Sequence, residues 1–198
     1  MVTETVHVRF SGEVIATKVT DNASTISSWI RRIKSMYNRE EIIVGLDVEW
    51  KPNYRVGQNN KAATLQLCVD TDCLIIQLFY LDYIPATLTD FLKDSNVTFV
   101  GVEVSRDVDK LSDDYGLETE DNIVDVREMS LQRWPGFFTS RQPGLKEIAS
   151  QVLGLYMEKP RHITRSNWQV RVLSDEQIEY ACIDAYASYR IGQELLKE

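Results

Sequence analysis

The sequence predicts an α/β fold, a mixed β-sheet flanked by helices on both faces. Its 198 residues are 43% hydrophobic and 26% charged, which is enough for one sizeable core. Strand-like segments first pair as hairpins and then alternate with segments of helical periodicity, the order typical of a mixed sheet covered by helices. One nearly continuous apolar run, residues 42–50, is typical of a buried central strand. We therefore expect a single domain over residues 1–198, with an N-terminal hairpin and helix over 1–40 and a core over 41–198.

The N-terminal part of the chain predicts a hairpin and a helix that precede the central strand. Apolar residues alternate over residues 6–19 on either side of Ser11 and Gly12, which predicts two paired strands and a turn. Residues 21–24 carry side chains suited to an N-cap, and the apolar stripe that follows predicts a helix to about residue 38.

The rest of the chain predicts strands that alternate with helices. In chain order these are a polar loop over 51–61, hairpin strands over 63–69 and 74–79, a helix over 86–93, a strand over 97–102, a helix over 105–115, a strand over 122–126, a helix over 143–153 and an irregular segment over 154–171. Ser174 and Gln177 then have the spacing of a capping box, which predicts the start of a long C-terminal helix.

Charge is distributed unevenly along the chain. The net charge of −8 argues against a surface that binds nucleic acid everywhere. Residues 133–171, however, hold seven basic and two acidic residues (7 − 2 = +5), whereas residues 101–128 hold three basic and ten acidic ones (3 − 10 = −7). One region could therefore meet phosphates while the other holds cations. Two solvated faces without a partner are the equal alternative.

The three cysteines form no metal-binding pair. Cys68 and Cys73 flank a turn, and we expect buried free thiols in a reducing compartment, with a disulfide across the hairpin as the alternative. The first residues do not resemble a signal peptide, and no apolar run approaches the ~18 residues of a membrane span. We therefore expect an intracellular protein, in the nucleus or the cytoplasm, that has no membrane partner.

Acidic residues stand where the predicted strands and helices meet. Asp47 and Glu49 are spaced i, i+2 on the central strand, so their side chains share one face. Tyr180 and Asp184 are spaced i, i+4 on the last helix, one turn apart. Asp107 falls in the first turn of a helix that follows a neighbouring strand. Taken alone, Asp47 and Glu49 could lie on an ordinary exposed sheet edge. Asp107 could simply be an acid that interacts favourably with the dipole at the start of its helix.

Gathered carboxylates repel one another and lose hydration when they are buried. A fold tolerates them mainly when a cation holds them together. Several carboxylates around an open site suit Mg²⁺ or Mn²⁺, because these hard ions prefer oxygen ligands. The pattern therefore predicts a divalent-cation site.

Together these acids and several flanking motifs resemble one known family. The set Asp47-x-Glu49, Asp107 and Tyr180-xxx-Asp184 looks like the DEDDy branch of the DnaQ-like 3′–5′ exonucleases, and within it the Werner-type exonuclease domain. The flanking motifs that share the resemblance are Ala63-Thr64-Leu65-Gln66-Leu67, Phe99-Val100-Gly101-Val102, Gly144-Leu145-Lys146-Glu147-Ile148-Ala149, Val152-Leu153-Gly154, and Ser166-Asn167-Trp168 leading into Leu173-Ser174. The match covers residue 42 to the C-terminus. The predicted helix from Asn22 to Ile33 and the segment Cys73-Leu74-Ile75-Ile76-Gln77-Leu78 also resemble small single-domain plant members.

This resemblance implies a ribonuclease-H-like fold and two divalent ions, Mg²⁺ or Mn²⁺, about 3.5–4 Å apart. Asp47 would bridge both ions. Glu49 and Asp184 would complete the site of the ion that carries the attacking water, and Asp107 would hold the ion near the leaving 3′ oxygen. Tyr180 would orient the attacking water. The implied reaction releases nucleoside 5′-monophosphates from the 3′ end of DNA or RNA.

Five residues are expected to contact the substrate. Gln66 lies on the strand beside the acids, Trp50 follows Glu49, and Lys159, Arg161 and Arg165 belong to the basic segment.

Aromatic residues are interleaved with basic ones shortly before that segment. Trp134, Phe137 and Phe138 lie between Arg133 and Arg141, and they either bind a single strand or form a lid over the core. Where the Werner domain has an aromatic residue two positions after the third acid, this chain has Asp109. This difference favours single-stranded tails as substrate over duplex ends.

The resemblance leaves several partners open. Single-stranded 3′ ends of nucleic acid are the expected substrate, and the N-terminal hairpin offers a sheet edge for a homo-oligomer. A protein partner in DNA repair or in small-RNA pathways is a further expectation. The competing interpretation is a non-catalytic nucleic-acid-binding or scaffold domain of the same fold.

Overall fold

The computed structural model describes residues 3–38 and 40–197. Its strands are β1 (Thr3–Phe10), β2 (Glu13–Thr20), β3 (Ile42–Trp50), β4 (Ala62–Val69), β5 (Asp72–Ile76), β6 (Val97–Gly101) and β7 (Ile123–Asp125). Its helices are α1 (Ala23–Tyr37), α2 (Ala86–Leu92), α3 (Val104–Tyr115), α4 (Val126–Arg133), α5 (Leu145–Leu153), α6 (Arg161–Thr164) and α7 (Asp175–Leu196).

All seven strands form one mixed sheet in the order β1-β2-β5-β4-β3-β6-β7. Strand β3 is antiparallel to β4 and parallel to β6. The N-terminal hairpin joins the same sheet, because β2 pairs with β5 in parallel. Residues before 41 and residues after it therefore share one continuous sheet.

Helices cover both faces of this sheet, as predicted. Helices α1, α2 and α3 pack on one face, whereas α4, α5 and α7 pack on the other. The alternation within β5 shows why, since Cys73 and Ile75 belong to the core on the α7 side and Leu74 and Ile76 to the core on the α1 side. Helix α7 begins at the predicted capping box of Ser174 and Gln177. None of the described helices combines the length and apolar character that a membrane span needs.

The structure corrects three details of the predicted elements. Strand β5 ends at Ile76 rather than at residue 79, because Gln77 begins a 3-10 turn whose first bond runs from the Tyr80 N–H to the Gln77 carbonyl. Helix α4 lies where no helix was predicted, and the Asp125 side chain caps it by accepting bonds from the Arg127 and Glu128 amides. The segment predicted to be irregular contains the single-turn helix α6.

The prediction that Cys68 and Cys73 are free thiols was wrong. Cys68 and Cys73 form a disulfide, and Cys182 is the buried free cysteine. The two bonded residues stand directly opposite each other in the β4–β5 register, with their Cα atoms 4.2 Å apart. Such a short distance is typical of a non-hydrogen-bonded pair of residues in an antiparallel sheet. The alternative of a disulfide across the hairpin is the one that the structure shows.

The contact between β3 and α7 leaves no room for a side chain at Gly45. A Cβ added there would lie 1.9 Å from the Ala185 carbonyl oxygen and 2.7 Å from the Tyr189 nitrogen. We expect Gly45→Ala to lower the free energy of unfolding by about 3 kcal/mol, because backbone atoms would have to move. Denaturant unfolding measures the loss. In the matched variant Gly144→Ala the added carbon meets nothing within 4 Å, and an equal loss there would contradict the proposed cause.

Candidate metal centre

The central strand and the last helix bring three of the five acid and phenol side chains together. Asp47 and Glu49 share a face of β3, and the register places them opposite Gln66 and Thr64 of β4. Helix α7 crosses this face and contacts β3. The close approach at Gly45 sets the height of α7 over the strand, so Asp184 meets the β3 carboxylates.

Asp107 reaches the same region from a different direction. Strand β6 ends at Gly101, and Glu103 adopts a left-handed conformation with φ 58° before α3 begins. The Glu103 amide donates a 2.8 Å hydrogen bond to the Asp125 carboxylate. This turn starts α3 at residue 104, so Asp107 lies in its first turn, and its side chain is buried.

Three of the four predicted metal ligands form a compact group. Ligand oxygens of Asp47, Glu49 and Asp184 all lie within 4.8 Å of one another. Asp107 lies outside this group, but it lines the same cleft as Asp47, Glu49 and Tyr180. The described residues thus form a three-carboxylate cluster with the fourth acid on the wall of the cleft.

Burial and mutual repulsion raise the pKa values of these carboxylates. Burial, followed by the charge of Asp184, raises the pKa of Asp47 to about 7. Burial, followed by the charge of Asp47, raises the pKa of Asp107 to about 9. The pKa values of Glu49 and Asp184 are also raised by burial, and Lys159 opposes the rise in both. Without a divalent cation, the cluster therefore binds protons near neutral pH.

Two oxygens of the cluster show that a cation fits. Asp47 Oδ2 and Asp184 Oδ1 are buried and have no hydrogen-bond partner within the described residues. A buried carboxylate oxygen without a partner is costly, and a cation removes that cost. Because the donors are all carboxylate oxygens, they suit Mg²⁺ or Mn²⁺ rather than a soft metal.

A lysine occupies the edge of this cluster. Lys159 Nζ lies 2.6 Å from Asp184 Oδ2, and the same ammonium lies 5.5 Å from the centroid of the Tyr180 ring. Lys159 was predicted to bind phosphate. That role stays a prediction, and the structure adds that this side chain neutralises one of the predicted metal ligands.

The other predicted substrate residues lie at different depths. Gln66 is buried beside Asp47 and donates to Thr64 Oγ1, so its contact with a nucleotide stays a prediction that its burial does not favour. Trp50 lines the cleft, with Arg106 and Lys110 within 5.6 Å and 5.3 Å of its ring. Arg161 and Arg165 are exposed.

The aromatic segment after α4 is split between the two interpretations left open by the sequence. Trp134 and Phe138 pack against the core, as a lid would. Phe137 is half exposed, so its ring is accessible to a single strand of nucleic acid.

Several residues of the cleft were not predicted from the sequence, among them Pro52, Val102 and Glu103. Arg106 and Thr164 line it together with the acids. The position of Arg106 directly before Asp107 was a usable signal. Thr164 had none, because it lies at the end of a helix within the segment predicted to be irregular.

The raised pKa values predict how the metal-free protein responds to pH. The pKa of an unfolded aspartate is ~4, whereas burial and the neighbouring acids raise the pKa of folded Asp47 to about 7 and that of Asp107 to about 9. Between roughly pH 5 and 9 the folded state therefore binds more protons, and the free energy of unfolding falls as pH rises. Urea unfolding in EDTA measures this slope. Saturating Mn²⁺ should abolish it, since a metal binds the ionised carboxylates, whereas stability that rises with pH in EDTA would contradict the assignment.

The chain is similar in sequence to several known proteins. A family model described as 3′-5′ exonuclease matches residues 17–198. A 3′-5′ exonuclease of Arabidopsis thaliana is 31% identical over 187 residues, which cover 92% of this chain and 63% of that protein. The bifunctional 3′-5′ exonuclease/ATP-dependent helicase WRN of Mus musculus is 28% identical over 94% of this chain and 13% of its own length. The chain thus spans less than two thirds of either relative.

Solved structures share the fold. RNase D of Escherichia coli, an exoribonuclease, superposes with a TM-score of 0.72 at 17% identity, over 90% of this chain and 44% of that one. Brucella melitensis NrnC bound to pGG gives 0.64 at 26% identity over 80% and 73%. The EXD2 exonuclease domain soaked in Mn gives 0.53 at 25% identity over 91% and 89%. The ribonuclease-H-like architecture predicted from the sequence is confirmed.

Proposed function

We propose that this chain, which belongs to the 3′–5′ exonuclease family of the DnaQ-like fold, hydrolyses nucleic acid from the 3′ end and releases nucleoside 5′-monophosphates. The observation that carries the proposal is the group of three carboxylates whose oxygens lie within 4.8 Å of one another. Two further observations support it: the raised pKa of Asp47, and the buried oxygens that have no hydrogen-bond partner within the part of the chain that the structure describes. A scaffold domain of the same fold would gain nothing from such a costly cluster.

The cofactors that we propose are two divalent ions, Mg²⁺ or Mn²⁺. The EXD2 exonuclease domain, a neighbour in fold, was soaked in Mn. Here Asp47 would bridge both ions, Glu49 and Asp184 would hold one, and Asp107 would hold the other. Bound ions supply an activated water and neutralise the charge that builds up on the phosphate oxygens.

The side chains of the chain itself position the reactants. Burial, followed by the charge of Asp184, raises the pKa of Tyr180, so the phenol keeps its proton at neutral pH. It therefore acts by orienting the attacking water through a hydrogen bond rather than by removing a proton from it. Trp50 and the half-exposed Phe137 provide faces for bases, and the exposed Arg161 and Arg165 provide charge for phosphates.

We propose that the substrate is a single-stranded 3′ tail. Asp109 is exposed beside the cleft, on the wall formed with Trp50 and Arg106, and a negative charge there offers no wedge for a duplex end. NrnC, which is similar in fold, was solved bound to pGG. Whether the tail is DNA or RNA depends on contacts to the 2′-hydroxyl. A homo-oligomer, a protein partner in DNA repair or small-RNA pathways, and a nuclear or cytoplasmic location stay predictions.

A time course on labelled oligonucleotides tests this function. DNA and RNA strands labelled at the 5′ end, either single-stranded or as duplexes with and without 3′ overhangs, are incubated with Mg²⁺, Mn²⁺ or EDTA. We expect a ladder that shortens from the 3′ end on single-stranded tails, with mononucleotide 5′-monophosphates as product and no reaction in EDTA. If the 5′ label is released as a mononucleotide at the earliest time points, the enzyme cleaves from the 5′ end and the proposal is overturned. Hydrolysis that persists in EDTA would overturn it as well.

A further inference from the structure

Lys159 has an unusual position for a residue of a basic, nucleic-acid-facing segment. Its ammonium lies 2.6 Å from Asp184 Oδ2, and its side chain is 30% exposed while that of Asp184 is 3% exposed. Pro160, the N-cap of α6, follows directly, and Thr164 at the end of that helix lines the cleft. The lysine thus points inward, toward the ligands.

The charge of Lys159 acts on the whole cluster. It favours the ionised form of Asp47, Glu49 and Asp184, and burial, which alone would lower the pKa of Lys159, is outweighed by these carboxylates. The neighbouring basic residues differ, since Arg161 and Arg165 are exposed and Arg171 pairs with Asp21 at 2.5 Å. In the metal-free protein, the ammonium therefore performs part of the neutralisation that a divalent ion would supply.

The ammonium and a divalent ion would compete for one carboxylate. Asp184 Oδ2 contacts Lys159, while Asp184 Oδ1 has no hydrogen-bond partner among the described residues. A divalent ion bound by Asp184 with Asp47 and Glu49 would lie close to the ammonium, and like charges in a buried site repel strongly. Binding of the ion must therefore either displace the Lys159 ammonium or overcome its repulsion at close range.

We infer that Lys159 is a tethered counter-ion of the metal centre, which holds Asp184 in place in the metal-free protein and is displaced when a divalent cation binds. The inference rests on the proposed function, because it assumes that the carboxylates bind metal. It makes Lys159 a positioning residue whose removal has two opposite effects. The metal-free protein loses stability, whereas metal binding is strengthened.

Calorimetric titration with Mn²⁺ in the absence of nucleic acid tests this role. We expect Lys159→Met to bind Mn²⁺ about tenfold more tightly than the wild type, because no ammonium has to be displaced. The Tm of the same variant in EDTA should fall by roughly 5 °C, because a buried carboxylate has lost its partner. Lys159→Arg, which keeps the charge, and Arg161→Met, which removes a nearby exposed charge, should both bind Mn²⁺ as the wild type does.

A second measurement uses the wild-type chain and therefore does not depend on the variant's folding. Displacement should make the Lys159 amine several-fold more reactive toward an acylating reagent in saturating Mn²⁺ than in EDTA. Peptide mass spectrometry measures this, with the exposed Lys146 as internal reference.

The outcomes separate this inference from the proposed function. Unchanged or weaker Mn²⁺ binding by Lys159→Met, or Lys159 acylation that Mn²⁺ does not increase, would overturn the counter-ion role alone. A wild-type protein that binds no Mn²⁺ would overturn the metal centre and the counter-ion role together.

Discussion

Replacing Asp47 by asparagine is expected to reduce hydrolysis by about 10³-fold or more while the fold persists. The substitution keeps the shape of the side chain and removes the charge that would bridge both metal ions. Metal ions contribute several kcal/mol of transition-state stabilisation, and each 1.36 kcal/mol corresponds to a tenfold change in rate. The rate of mononucleotide release from a single-stranded substrate in Mg²⁺ measures the loss.

The same substitution should not weaken the metal-free protein. Burial and the charge of Asp184 make ionised Asp47 unfavourable, so removing its charge relieves repulsion among the acids. In EDTA at pH 8 we expect the Asp47→Asn variant to unfold at an equal or higher urea concentration than the wild type. Asp109→Asn removes an exposed acid near the cleft and serves as the control that keeps its activity. Full activity in Asp47→Asn would refute the assigned role.

Tyr180→Phe should reduce kcat by roughly 10²-fold and leave KM and Mn²⁺ affinity nearly unchanged. The phenol lies in the cleft beside the carboxylates but is not one of the expected ligands. Its removal therefore leaves the metal site intact and takes away the group that orients the attacking water, and poor orientation costs about this factor. Single-turnover rates and calorimetry together separate the two effects.

A control on the same helix makes the Tyr180 result specific. Tyr186 is buried in α7 away from the cleft and accepts a 2.7 Å hydrogen bond from Arg190. We expect Tyr186→Phe to keep its kcat. Because the pKa of Tyr180 is raised, the wild-type pH–rate profile should show no loss of activity from phenol ionisation up to pH 9. A drop in Mn²⁺ affinity equal to the drop in kcat would mean that Tyr180 acts through the metal instead.

Local sequence signals predicted most of the fold because those signals are strong. The turn of Ser11 and Gly12 has positive φ at both residues, and the N-cap of α1 is Asn22, within the predicted capping segment. The central strand has the predicted bounds of Ile42 and Trp50. These elements carry their own punctuation in the form of turn residues, caps and apolar periodicity.

The missed features depend on tertiary context. Helix α4 has little amphipathic pattern, and only its Asp125 cap marks its start. The disulfide depends on a cross-strand register that the turn and the neighbouring strands fix together. The turn between the two strands indicated this register, so the sequence offered the disulfide as an alternative but did not decide between a disulfide and free thiols.

The candidate site shows the same division. The spacing of Asp47 with Glu49, and of Tyr180 with Asp184, predicted which side chains share a face. The approach of α7 to β3 at Gly45 is what joins the two pairs, and no local rule gives that distance. The inward position of Lys159 likewise depends on how the segment before α6 folds over the cleft, and the sequence placed it only in a basic stretch.

Diffraction from crystals soaked in Mn²⁺ with a nucleoside 5′-monophosphate, recorded near the manganese absorption edge, tests the central claim most directly. The carboxylate cluster predicts two anomalous peaks about 3.5–4 Å apart, one among Asp47, Glu49 and Asp184 and the other between Asp47 and Asp107. The nucleotide phosphate should lie against both peaks. Crystals in which manganese binds elsewhere, or in which the four carboxylates hold no metal at saturating concentration, would contradict the claim that this cluster is a metal-dependent nuclease centre.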